Sequence, residues 1–303
     1  MSGRPTPSPR LALAIGIAAV STGSLFIRFA QTDAPSLSIA AFRLALAALF
    51  LVPVAWLRHR RELAELKASD WGWLAAAGIF LAVHFATWIT SLEYTSVASS
   101  VLLVSTSPLW VALFARLFLG EPMTKPLAWG LLLAMTGSVL IGFAEARASI
   151  SSRPVLGALL ALAGALAVSG YWLIGRRLRR RLSLIPYVTV VYGFAAMVLT
   201  AAALLLGKPM TGFKTATYGW FFLLALIPQL LGHSSFNWAL AHLPVGYIAI
   251  ATLGEPVGAA ILALLFLGEV PTLLKTAAAA LLLAGIFMAL RPSGQKTVGT
   301  EPF

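Results

Sequence analysis

The stretch Leu117-Phe118-Leu119-Gly120-Glu121 returns later in the chain as Leu265-Phe266-Leu267-Gly268-Glu269, at an offset of 148 residues. A pentapeptide in leucine-rich sequence recurs easily by chance, so its neighbours decide. Ser107-Pro108 stands opposite Glu255-Pro256, Thr124 opposite Thr272 and Gly137 opposite Gly285, all in the same register. Further upstream, Gly72-Trp73 is answered by Gly219-Trp220 at an offset of 147. Residues of unrelated chemistry kept at one spacing mark an internal duplication. The copies occupy residues 11–144 and 155–290, between a head of residues 1–10 and a tail of residues 291–303.

The composition says where the copies sit. Hydrophobic residues make up 59% of 303 positions and charged residues 11%, against roughly 45–50% and about 25% in soluble domains. Apolar runs recur as far as Leu290, which neither a cleaved signal nor one anchor explains. Leu- and Ala-rich runs of about 20 residues read as transmembrane helices, whereas barrel strands would alternate. Spans are expected near 11–30, 36–57, 71–91, 97–118, 127–144, 155–175, 186–206, 218–240, 245–267 and 273–290. The fold class is therefore all-α, ten transmembrane helices, five per copy. An odd number per copy turns the second upside down, an arrangement of secondary transporters whose site lies near the midplane between the repeats.

The net charge of +12 does not point to nucleic acid, because the basic residues sit in short runs between apolar segments. With the N-terminus inside, fifteen Lys and Arg fall on the cytoplasmic side and six on the other. That imbalance places both termini in the cytoplasm of a cell inner membrane. The expected partners are the lipid bilayer and a small-molecule substrate, with no nucleic acid, and the chain is a monomer or homodimer. Cysteine is absent, and neither a metal nor another cofactor is expected.

Two five-helix units ending in SPLWVALFARLFLGEPMT and GEPVGAAILALLFLGEVPT resemble the EamA-type carriers of the drug/metabolite transporter superfamily. The resemblance covers residues 10 to 290. It implies ten helices, cytoplasmic termini, and export or exchange of amino acids or other small metabolites. Ser107 in the first half faces Glu255 in the second, an asymmetry common in that family.

Glu255 lies near the middle of an apolar span, where a carboxylate is costly and marks function or a packed partner. Arg43 is the second internal charge, roughly 10 Å deep, with Glu255 about 13 Å deep from the opposite side. In a core some 30 Å thick the two can pair, either as a charge-coupling element or as a structural pair. His84, Thr87, Trp88 and Ser91 share one helix face, as do Gln229, His233 and Asn237. Each polar stripe either lines a cavity or glues helices together. The cavity candidates are His84, Trp88, Ser107, Trp110, Tyr171, Trp172, His233, Asn237 and Glu255. Pro108 and Pro256, near the centres of the fourth and ninth spans, are expected to kink their helices as matched gating points.

An amino-acid or small-metabolite exporter, proton-coupled or facilitative, fits this inventory. A nucleotide-sugar or phosphate-ester exchanger needs several buried cations, and only Arg43 is deep. A channel filter is not recognisable, and no intramembrane-enzyme motif such as HExxH is present.

Overall fold

The computed structural model describes residues 8–119, 125–148, 153–243, 252 and 254–289. Within them the regular structure is helical: α1 (Pro9–Ser21), α2 (Gly23–Ala30), α3 (Ser36–Ala64), α4 (Ala68–Ser91), α5 (Val97–Val104), α6 (Ser107–Leu119) and α7 (Lys125–Ala148). The second half supplies α8 (Pro154–Leu178), α9 (Leu184–Leu205) and α10 (Thr215–Leu224), which passes through a π-helical stretch (Ala225–His233) into α11 (Ser234–Ala239). Next come α12 (Gly254–Leu267) and α13 (Leu273–Ala289).

Six described segments are long and apolar enough to cross a membrane: Pro9–Ala30, Ser36–Ala64, Ala68–Ser91, Pro154–Leu178, Leu184–Leu205 and Thr215–Ala239. Shorter apolar helical runs lie at Val97–Val111, Ala128–Ile141, Gly254–Leu267 and Leu273–Gly285. Gly120, Glu121 and most of the expected ninth-span entry lie outside the described residues. Outward faces carry bare hydrocarbon, with Leu205 86% and Leu273 87% exposed. That surface suits lipid and not water.

Local chemistry starts and interrupts the helices. Ser8 caps α1 by accepting from Leu11 N–H at 3.2 Å, and Pro9 and Pro154 fill first-turn positions where a missing N–H costs nothing. Two spans break at a Ser-Thr pair. Ser21 and Thr22 donate to the carbonyls of Ile17 and Ala19, at 2.8 and 2.7 Å. Ser105 and Thr106 donate to Val101 and Leu103, both at 2.7 Å. Such back-bonding competes with the helical ladder and bends it.

This corrects the expectation for Pro108. It is the second residue of α6, just past the break, and not a kink within a continuous helix. Pro256 is the third residue of α12, and most of the residues leading into α12 lie outside those described. The proline that does sit inside an altered helix is Pro228, in the π-helical stretch. It has no N–H to donate, and the register around it is wider.

Packing follows the duplication. α7 lies along α13, α3 along α9, α4 along α8, and α1 along the π-helical stretch. Exchanging each first-half helix for its second-half counterpart maps this set onto itself. The repeat-matched glycines serve the first contact. A Cβ on Gly137 would stand 2.7 Å from Leu282 N, and one on Gly285 2.5 Å from Ala134 N. Small residues let two apolar helices approach closely where lipid offers no hydrophobic drive. Polar ties join the halves at the helix ends. Asp33 accepts from Lys214 N–H at 2.8 Å and Thr217 Oγ1 at 2.7 Å, and these bonds hold its carboxyl below the usual aspartate range.

Candidate functional site

Where the long helices bend around one another they enclose a cavity of about 40 Å³. The first half contributes His84 and Trp88 from α4, Ser105 from the Ser-Thr break and Ser107 from the start of α6. The second contributes Trp172 from α8, His233 at the end of the π-helical stretch, Phe236 from α11 and Glu255 from α12. The space holds only a few water molecules, so it must widen to admit a solute.

The walls are preorganised. His84 Nδ1 lies 2.9 Å from Gly164 O on α8, and its ring stacks on Trp88 at 5.8 Å and 10°. Gly164 permits that approach, because a Cβ there would stand 3.3 Å from Trp88 Cβ. Phe85 bridges to the other half, edge-on to His233 at 5.4 Å.

Arg43, from α3, stands behind this wall, fully buried. Its Nε donates to Gln229 Oε1 at 2.8 Å, and its guanidinium lies 4.2 Å over Phe85 and 5.9 Å from Trp88. Nη1 has no hydrogen-bond partner among the described residues, and neither has Trp88 Nε1. A desolvated cation–π contact contributes about 2 kcal/mol, while burying an ion costs several kcal/mol and Nη1 gains no hydrogen bond in return. The local partners therefore under-compensate the charge. Arg43 and Glu255 make no direct ion pair among the described residues, yet they lie within electrostatic range of each other. The pairing that their depths allow is not made among the described residues.

Of the nine cavity candidates read from sequence, His84, Trp88, Ser107, Trp172, His233 and Glu255 line the cavity together. Trp110, Tyr171 and Asn237 do not. Trp110 Nε1 donates to Thr106 Oγ1 at 3.1 Å beside the helix break. Tyr171 donates to Asn237 Oδ1 at 2.9 Å, and Asn237 Nδ2 donates to His233 O at 2.9 Å, so this pair braces α8 against α11. Spacing identifies a helix face, and what that face meets depends on the neighbour. Ser105 and Phe236 were missed, the first hidden in a run that reads as one helix and the second indistinguishable from core. Gln229 was read as part of a stripe, and its task of holding Arg43 had no signal in the sequence.

Comparison with known proteins bears on the family and the fold. The chain is 26% identical over 263 residues to the pseudopaline exporter CntI of Pseudomonas aeruginosa, covering 86% of this chain and 88% of that one. It is 24% identical over 269 residues to an uncharacterized transporter of Archaeoglobus fulgidus, covering 87% and 91%. A probable terminal-alkyne amino-acid exporter of Streptantibioticus cattleyicolor is 27% identical over 218 residues, covering 66% and 67%. A solved crystal structure superposes with a TM-score of 0.68 at 19% identity over 93% of this chain and 97% of the other, which shows a shared fold. The sequence profile of the EamA-like transporter family matches twice, at residues 9–143 and 155–291. The chain is a two-repeat, membrane-embedded member of the EamA-like transporter family.

Proposed function

We propose that the chain exports small zwitterionic metabolites, amino acids or close derivatives, by alternating access. In this reading ten transmembrane helices form two inverted halves, residues 11–144 and 155–290, with both termini in the cytoplasm. The observation that carries it is the cavity itself, built by six candidate residues from both halves, with Glu255 on its wall and the under-compensated Arg43 behind it. A carboxylate and a guanidinium within electrostatic range of each other match the ammonium and carboxylate of one zwitterion. The self-mapping helix pairs support exchange of roles between the halves. Two of the relatives are named as exporters, one of them of an amino acid, which favours this reading. A multiply charged phosphate ester would need more buried cations than Arg43.

Counterflow in proteoliposomes tests it. Vesicles preloaded with unlabelled amino acid are expected to take up the labelled solute transiently above equilibrium. No overshoot with any amino acid or derivative would overturn the proposal, and leakage without overshoot would point to a channel.

A further inference from the structure

The second Leu-Gly-Glu motif ends on a carboxylate that solute binding in the central cavity does not use. Gly268, at φ 67°, turns the chain after α12 in a backbone region that favours glycine. Glu269 then reaches across to the first half. Its Oε2 accepts from Val97 N–H at 2.9 Å, at the first residue of α5, where open N–H groups and the helix dipole favour a negative charge. Its Oε1 lies 3.5 Å from Arg28 Nη2, which also donates to Thr95 O at 2.9 Å. One carboxylate thus ties α2, the start of α5 and the α12–α13 connection.

The tie lines a second cavity, about 510 Å³ in volume, together with Glu93, Ser96 and Lys275. This cavity and the central one share no lining residue among those described. α5 and α12, packed against each other, run between them. α5 presents Ala98 to the larger cavity at one end and Val104 to the central cavity at the other, a span of about 9 Å. α12 presents Glu255 at its start and is followed by Gly268 and Glu269 at its far end. The break at Ser105-Thr106 frees α5 from the direction of α6.

We propose that Glu269 is a positioning residue of the transport cycle. Its bonds to Val97 and Arg28 hold α5 against α12 and close the central cavity toward the larger one. Releasing them swings α5 aside and joins the two. This rests on the transport reading above, and it links the repeat motif to the same helix that carries Glu255.

The test uses the absence of cysteine. Ser105→Cys places one thiol on the central cavity, and an impermeant thiol reagent is applied to right-side-out and inverted vesicles. Arg28→Ala and Glu269→Gln are each expected to raise the labelling rate from one and the same side, up to about fivefold for a partly exposed ion pair. Their combination is expected to give no more than either alone. Glu269→Ala, which also removes the acceptor for Val97 N–H, is expected to label faster than Glu269→Gln. Unchanged labelling in both single variants, increments that multiply in the double variant, or a thiol unreactive from both sides throughout would overturn the proposal. Counterflow on the parental protein, which carries no cysteine, separates the two ideas. Labelling that responds in a protein with no counterflow removes the transport reading and leaves the latch, and the converse removes the latch alone.

Discussion

Arg43 and Glu255 show how an apolar interior keeps charge. Arg43 has one neutral amide, Gln229, and two aromatic faces, less than its desolvation demands. Glu255 is half-buried on the cavity wall and acts on Arg43 through space. A zwitterion that sets its ammonium by Glu255 and its carboxylate toward Arg43 adds a compensating charge to each. Glu255→Gln keeps the shape and most of the hydrogen bonding and removes the charge. A hydrogen bond to a charged group contributes about 1.5–3 kcal/mol, so counterflow is expected to fall about tenfold or more and its pH dependence to flatten. Glu255→Asp, one methylene shorter, is expected to keep part of the rate with weaker affinity. A Gln variant with parental rates at every pH would reduce Glu255 to a packing residue. Both charges were legible in the sequence because each interrupts an apolar run. Their partners were not, because Gln229 lies 186 positions from Arg43 and no local pattern links them.

At the scale of elements, glycine and hydroxyl side chains do what hydrophobic pattern cannot. The repeat register picked out Gly137 and Gly285 without saying why they recur. The structure supplies the reason, since α7 and α13 meet where each glycine faces the other helix's backbone. Gly137→Ala would bring Cβ to 2.7 Å from Leu282 N and 2.9 Å from Ala278 O. Overpacking of this kind costs about 1–3 kcal/mol, so the thermal midpoint in detergent is expected to fall. Gly193→Ala, inside α9 with nothing within 4 Å of the added atom, is the control. It is expected to be neutral or to stabilise by up to about 1 kcal/mol through helix propensity. Equal midpoints for the two variants would mean that the α7–α13 contact does not depend on close approach. The helix breaks were less legible. Ser21-Thr22 and Ser105-Thr106 sit inside runs apolar enough to read as single spans, and Pro108 drew attention one turn too late. The π-helical stretch was invisible, because widening depends on what packs beside Pro228 and not on its sequence alone.

For the whole molecule, the charge distribution and the fold make a joint statement about orientation. The α3–α4 and α8–α9 connections lie at one end, where Arg181 pairs with Asp70 and Ser183 bonds to Glu62. The α2–α3 and α9–α10 connections lie at the other, joined by Asp33 to Lys214 and Thr217. The basic run beside α8 belongs to the first end, with one exception. Arg179 turns inward and donates to Asn237 O at 3.1 Å, so it braces α11, while Arg176, Arg177 and Arg180 stay exposed. Short basic loops are retained on the cytoplasmic side, so we propose that the first end faces the cytoplasm. Arg60, Arg180 and Lys214 are all exposed, so each accepts a single cysteine without disturbing the core. In whole cells, an impermeant thiol reagent is expected to label Lys214→Cys and to spare Arg60→Cys and Arg180→Cys until the membrane is opened. The reverse pattern would invert the molecule. The latch at Glu269 would then face the cytoplasm, and the same machinery would gate entry of the solute where the present orientation has it gate release.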